Sequence, residues 1–326
     1  MSAAADGTLD YWLGAPELAT LRGLSVARLL EALPETALRR GRGGQPEIAP
    51  PAVRHYLADL GADYHFRVVA HINLKGGVGK TTTAVSLATR AAQYGYRCCL
   101  LDLDSQASAT LALGVEIDDD HPVFVDLWQR PGELLDSSLC RLQAELAVLP
   151  SSLDNALLDV NLMNPSAQKQ AVRGVCDELR GDRDLVIIDC PPSLGAAVVS
   201  AACAADIVVI PLGYDAFSRK GLHLTVTEIH EIRRTFGLPE PVIRPLLTFH
   251  DRRVTLASER LAELRASFGH ALFDHPIRTS TQFARAVETH RSVFAAGGRG
   301  PARDDYDAYT RQLLGLERWL RPRENA

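Results

Sequence analysis

Lysine is nearly missing from this chain. Of 35 basic side chains only four are Lys, at positions 75, 80, 169 and 220, and all the others are Arg. Two of the four flank a single glycine-rich stretch, which marks sites that need a compact ammonium rather than a planar guanidinium. Long apolar runs are missing too: none approaches the roughly 20 residues of a membrane span. The start, MSAAADGTLDYW, has neither the basic opening nor the apolar run of a secretory signal, so the cytoplasm is the expected location. The six cysteines include no C-x-x-C pair, which argues against a zinc site or a disulfide framework and for buried, reduced thiols. No internal repeat is visible.

What is present is the make-up of an ordinary globular protein: 326 residues, 46% hydrophobic and 23% charged. The net charge of −5 is unevenly spread. Residues 1–66 carry −2, residues 67–218 carry −8 and residues 219–326 carry +5. From residue 67 onward, short apolar runs alternate with amphipathic stretches. RVVAHINL, YRCCLLDLD, LAVLP, DLVIID, DIVVIPL, VIRPLLTF and HALFDHPI read as strands. Strands that are apolar throughout, separated by helices, indicate a mainly parallel sheet covered on both faces. The expected fold is thus a doubly wound α/β domain over 67–326. Residues 1–66 read as a small helical appendage, PELATLRGLSVARLLEAL and PPAVRHYLADLG, with a turn-rich middle of Gly, Pro and Arg.

In HINLKGGVGKTTTAVSLATR, residues 71–90, a glycine run follows a strand and opens a helix. That context makes a P-loop: backbone amides of Gly76, Gly77, Val78 and Gly79 close around phosphate oxygens at the positive end of a helix. Lys80 reaches the β- and γ-phosphates of ATP, the Thr81 hydroxyl ligates Mg²⁺ and Thr82 donates to the α-phosphate. A second carboxylate for the metal is expected at a strand end, where such sheets bind ligands. Asp189 closes DLVIID and fits, directly or through water. Asp102 and Asp104 end another strand, with Asp102 the better structural partner. The P-loop pattern is irregular, however: Leu74 stands where the first Gly is usual, and Lys75 follows it.

The runs KGGVGKTT, LLDLDSQASAT, VIIDCPPSLG and ADIVVIPL, in that order, resemble the ParA/MinD group of deviant Walker A ATPases. The stretch from LLTFHDRR to HRSVF looks specifically like ParA partition ATPases, so the resemblance covers about 67–320. It implies that Lys75 is the signature lysine, crossing to the phosphates of a facing subunit in an ATP-dependent homodimer. Asp104 then matches the water-orienting aspartate, with Ser105 where Pro is common and Leu74 where many ParA proteins have Gln. Adenine contacts are placed after Pro211 and Pro245 by the resemblance alone.

Three readings of the output stay open. ParA-type proteins bind DNA of any sequence in the ATP state, on the nucleoid, and a ParB-type partner stimulates hydrolysis; Arg252, Arg253 and Arg278 fall where the DNA-contacting residues cluster. Alternatively, residues 1–66 add specific DNA binding, with a helix-turn-helix look around Gly23 and Ser25 and with Arg39, Arg40 and Arg42 near phosphate. The third is a MinD-like membrane switch through Leu313, Leu314, Leu316, Trp319 and Leu320; against it, such a helix more simply packs on its own domain. An iron–sulfur relative lacks a second cysteine to match Cys190.

Overall fold

The computed structural model describes residues 11–41, 43–214, 216–295 and 300–320. The chain opens with β1 (Leu13–Gly14), α1 (Ala15–Arg22), α2 (Val26–Glu31), β2 (Leu38–Arg40), β3 (Pro46–Ile48) and α3 (Pro50–Asp59). Gly23 takes the left-handed conformation (φ 65°) that ends α1, and the Ser25 hydroxyl accepts from the Arg28 amide to cap α2. The stretch read as a turn-rich middle is instead a β-hairpin, with β2 antiparallel to β3 and β1 on its other side. Strands of two or three residues carry too little alternation to announce themselves.

The main sheet is built from β4 (Arg67–His71), β5 (Cys98–Asp102), β6 (Cys140–Gln143), β7 (Leu146–Leu149), β8 (Leu185–Asp189), β9 (Ile207–Leu212) and β10 (Val242–Leu247). Their order is β10-β9-β4-β8-β5-β7-β6, parallel throughout except for the antiparallel edge strand β6. Side chains alternate between two cores. Val69, Cys98, Leu100, Ile187 and Val209 face α4 (Lys80–Gln93), the last helix (Pro301–Leu314) and the N-terminal unit. Ala70, Cys99, Leu101, Ile188 and Val208 face the helices Pro165–Leu179 and Ala196–Ala204 on the other side. The adjacent cysteines therefore point to opposite faces, and all six are free thiols. HALFDHPI, expected as a strand, forms none: the one-residue bridge nearby pairs His250 with Arg278, just past the stretch, and Leu272 and Phe273 of the stretch turn into the core.

The N-terminal unit is joined to the sheet domain by a continuous core. Tyr11, Leu13, Leu18, Leu29, Ile48 and Leu57 belong to the same buried cluster as Ala88 and Ala91 of α4. Polar locks reinforce the seam. Arg22 donates to the Trp319 carbonyl (2.7 Å), and Arg54 to the Gly95 carbonyl (2.9 Å) and the Asp184 carboxylate. At its centre is Arg90 of α4, a fully buried guanidinium. It donates to Asp307 (2.7 Å), Gln93 (2.8 Å) and Glu17 of α1 (2.6 Å), and stacks 4.5 Å from the Tyr94 ring centroid. The terminal apolar side chains Leu313, Leu314, Leu316 and Leu320 are buried as well. No described helix is long and apolar enough to cross a membrane.

Candidate functional site

The site lies where β4, β5 and β8 end. β4 pairs residue for residue with β8, so His71 sits opposite Asp189; β5 pairs with the other side of β8, so Asp102 sits opposite Asp189 too. Parallel register thus gathers three distant segments at one edge. After β4 the chain turns through Gly77 (φ 71°) and Gly79 (φ 90°), conformations that residues with a side chain rarely adopt. This places the backbone amides of the loop over the N-terminus of α4. Asn73 fixes the turn: its amide donates to the Pro211 carbonyl (2.7 Å) and its oxygen accepts from the Lys75 amide (2.9 Å). Reading the sequence did not single out Asn73; a buried Asn at a strand end is its only linear signal.

Lys80 is 7% exposed and its Nζ donates to the Lys75 carbonyl (3.0 Å). Burial lowers its pKa, and Asp189 only partly offsets this. Lys75 is exposed beside it. Thr81 and Thr82 are half-buried on the first turn of α4. Asp189 is fully buried, and neither of its oxygens has a hydrogen-bond partner among the described residues. Burial, then the neighbouring Asp102, pushes its pKa well up, while the nearby Thr81 hydroxyl and Lys80 favour the charged form. A carboxylate buried without partners is costly. Beside a threonine hydroxyl it suits a hard divalent cation that keeps some of its water.

Asp102 and Asp104 have different surroundings. Asp102 is fully buried and accepts from the Thr110 amide and hydroxyl, both at 2.8 Å, so it braces the turn after β5. Burial raises its pKa to about 6. Asp104 is half-buried and lines a cavity of about 500 Å³ together with Gly76, Gly79, Lys80 and Thr82. Phe249, Phe283 and Leu111 line it as well, with the Phe249 ring against the P-loop at Gly79. Phe249 has a left-handed backbone (φ 56°), unusual for an aromatic residue. Its neighbour Thr248 ties it to the P-loop by donating to the Val78 carbonyl (2.9 Å). Phe249 and Phe283 also escaped the sequence reading, because nothing local sets them apart.

Arg252, Arg253 and Arg278 line one depression with His250 and Thr279. They are not equivalent. Arg278 forks onto Asp305 of the last helix (2.7–3.0 Å), and Arg253 pairs with Asp251 at 2.7 Å. Arg252 is exposed. In the N-terminal unit, Arg39 pairs with Glu47 (2.7 Å) and stacks 4.2 Å from the Trp12 ring centroid, which makes it a brace for the hairpin. Arg28 and Arg40 are exposed, and Arg42 lies outside the described residues.

An AAA-domain family model matches residues 66–239. The chromosome partitioning protein ParA of Caulobacter vibrioides is 29% identical over 254 residues, covering 77% of this chain and 95% of that protein. The ParA protein of Myxococcus xanthus is 30% identical over 260 residues, covering 79% and 91%. Among solved structures, cobyrinic acid a,c-diamide synthase from Mycobacterium smegmatis, with bound ATP analog and magnesium, superposes with a TM-score of 0.67. It is 26% identical and covers 80% of this chain and all of that one. The family model covers more than half of the chain and these relatives about four fifths of it, and the chain belongs to the ParA/MinD group of P-loop ATPases.

Proposed function

We propose that this chain is a Mg²⁺-dependent partition ATPase whose ATP form pairs with a second copy, binds DNA of any sequence and lets go when a partner protein stimulates hydrolysis. The observation that carries this reading is the unpartnered, buried Asp189 carboxylate beside Thr81, a residue that lines the cavity together with the P-loop glycines and Asp104. Thr81 and Asp189 would hold Mg²⁺, which neutralises phosphate charge when bound. Lys80 meets the phosphates from within the loop, Lys75 reaches outward from its rim, and Asp104 orients the attacking water. The ATP state gains DNA affinity only to the extent that it favours the paired form. Pairing presents the basic depression twice, and phosphate contacts dominate affinity that is blind to sequence.

Binding to random-sequence duplex DNA, measured without nucleotide, with ADP and with ATP at two salt concentrations, tests this. Strong binding is expected only with ATP, weakening steeply with salt and lost in an Arg252→Ala/Arg253→Ala/Arg278→Ala variant. Equal binding in all three nucleotide states would remove the DNA switch from the reading.

The hairpin observed after α2 favours a second, compatible role. Two short helices around a Gly turn, followed by a two-stranded wing, form a unit that offers α2 to a major groove and the wing to a flanking backbone. Arg28 on α2 and Arg40 at the wing face solvent. Selection from a random duplex library should then enrich a defined sequence with the wild type and not with Arg28→Ala/Arg40→Ala. Enrichment of the same sequence by both proteins counts against a DNA-reading wing.

A further inference from the structure

Asp104 sits on a loop whose own sequence does little to hold it. Leu103-Asp104-Ser105-Gln106-Ala107 contains no proline, and Ala107 takes the left-handed conformation (φ 52°), which a residue with a Cβ adopts only when its surroundings impose it. The Asp104 amide donates to the Asp102 carboxylate (3.2 Å), its own carboxylate accepts from the Gln106 amide (3.1 Å), and its carbonyl accepts from the Ala107 amide (2.8 Å). All three partners lie within three residues, so these bonds set the shape of the turn rather than its stand against the neighbouring strand. Among the described residues, the bond that ties Asp104 to a distant part of the chain comes from Ser151, whose hydroxyl donates to the Asp104 carbonyl (2.7 Å).

Ser151 arrives from β7, which pairs with β5 so that Leu149 stands opposite Leu101; the chain leaving β7 therefore runs beside the chain leaving β5. The direction of each bond around Ser151 is fixed by chemistry. The Val125 amide can only donate, so the Asn155 side-chain oxygen must face it (3.1 Å). The Asn155 nitrogen then faces the other way and donates to the Ser151 hydroxyl oxygen (2.8 Å). The Ser151 amide is bonded to the Thr110 hydroxyl (3.0 Å), which gives its own proton to Asp102 (2.8 Å). The Ser151 proton is left for the Asp104 carbonyl, since its other acceptor, the Ser152 carbonyl, lies at 3.5 Å. Such an aligned chain strengthens each of its members, and burial keeps water from replacing them: Ser151 is 2% exposed and Asn155 4%. Neither residue is among those that line the cavity.

We propose that Ser151, its hydroxyl aimed by Asn155, is a positioning residue for ATP hydrolysis: by anchoring the Asp104 carbonyl it holds the Asp104 carboxylate where the attacking water stands. The inference rests on the role of Asp104 proposed above and names what keeps that carboxylate in place. The Ser151 bond fixes the backbone of the loop, and the Gln106 amide fixes the carboxylate against that backbone. A group that orients water acts over hydrogen-bond distance, so a loop left to drift loses its effect steeply. Nucleotide affinity has no such dependence, because the phosphates meet the loop amides and Lys80 instead. The Ser151 bond therefore acts on turnover and leaves binding alone.

The experiment is single-turnover hydrolysis of ATP with Mg²⁺ by the full chain, beside titration with a fluorescent ATP analogue, in four proteins: wild type, Ser151→Ala, Asp104→Ala and the double variant. Ser151→Ala removes one oxygen atom and adds no volume, so folding should be intact. It is expected to bind the analogue like the wild type and to hydrolyse ATP roughly tenfold more slowly, since a small misplacement of a reacting group is costly. In the Asp104→Ala background the same change should have no further effect, because the group it positions is gone. A serine that merely supports the fold would slow both backgrounds by the same factor. That result overturns the inference and leaves Asp104 in its role, and so does a Ser151→Ala protein with the wild-type rate. An Asp104→Ala protein that hydrolyses ATP as fast as the wild type removes Asp104 from catalysis, and the inference falls with it.

Discussion

A Lys80→Ala chain is expected to bind ATP about 100-fold more weakly than the wild type, the loss of about two charge-assisted hydrogen bonds near 1.5 kcal/mol each. The magnitude follows from where the ammonium sits. Lys80 is 7% exposed and already bonded to the Lys75 carbonyl, so in the proposed role it would meet the phosphates with little water left to shed and its position set in advance. Burial disfavours its charge, and an approaching polyanion restores it. Lys75 is exposed, and Lys75→Ala should keep single-chain ATP binding close to wild type while weakening pairing or turnover. Titration with a fluorescent nucleotide separates the two. A Lys80→Ala protein that binds within threefold of wild type would mean that the loop amides alone hold the phosphates.

The parts of this protein that were legible in its sequence are those whose physics is local. Strands buried on both faces are apolar along almost their whole length, so β4, β5, β7, β8 and β9 stand out, and the edge strand β10 does so through its buried Pro-Leu-Leu half. A phosphate cradle needs contiguous glycines, a lysine and hydroxyls, and strand-end carboxylates follow from the topology. β6 escaped because an edge strand reading CRLQ has no apolar pattern. The hairpin of the N-terminal unit escaped because Arg-Pro-Gly text looks like a turn until its antiparallel partner is placed opposite. HALFDHPI misled for the reverse reason: its apolar residues are buried without forming a strand. Asn73, Phe249 and Phe283 reach the site from segments far apart in the chain. The pairing of Arg278 with Asp305 spans 27 residues, and it shows that a basic residue counted as available in sequence can be engaged in the fold.

Arg90 connects these regions, and removing it should have the largest effect on stability. The helix that begins at Lys80 in the nucleotide cavity carries Arg90 in its last turn, where Glu17 of the N-terminal unit and Asp307 of the last helix meet it. A guanidinium with no exposed surface is stable there only because its partners are complete. Burial disfavours its charge, and Asp307, then Glu17, more than compensate. Without Arg90, Asp307 keeps Arg311 (2.9 Å) and Glu17 keeps Arg303 (2.8 Å), so the cost is less than the roughly 3–5 kcal/mol of a buried charge left wholly unpaired. Arg90→Met is expected to lose about 2–3 kcal/mol in denaturant unfolding, the loss of its charge-assisted hydrogen bonds, and the N-terminal unit should become the first segment to exchange its amides. The pH dependence should change as well. Burial alone would raise the pKa of Asp307, but Arg90 and Arg311 outweigh it and hold it below the ordinary carboxylate value. The stabilisation from Asp307 is therefore complete above that ordinary value and is lost as pH falls through the depressed one. Without Arg90 the folded pKa of Asp307 rises, so acid destabilisation should begin at a higher pH than in the wild type. An Arg90→Met chain with wild-type stability and an unchanged acid limb would show that Arg311 and Tyr94 suffice for Asp307, and that the seam between P-loop helix and N-terminal unit is held by apolar packing.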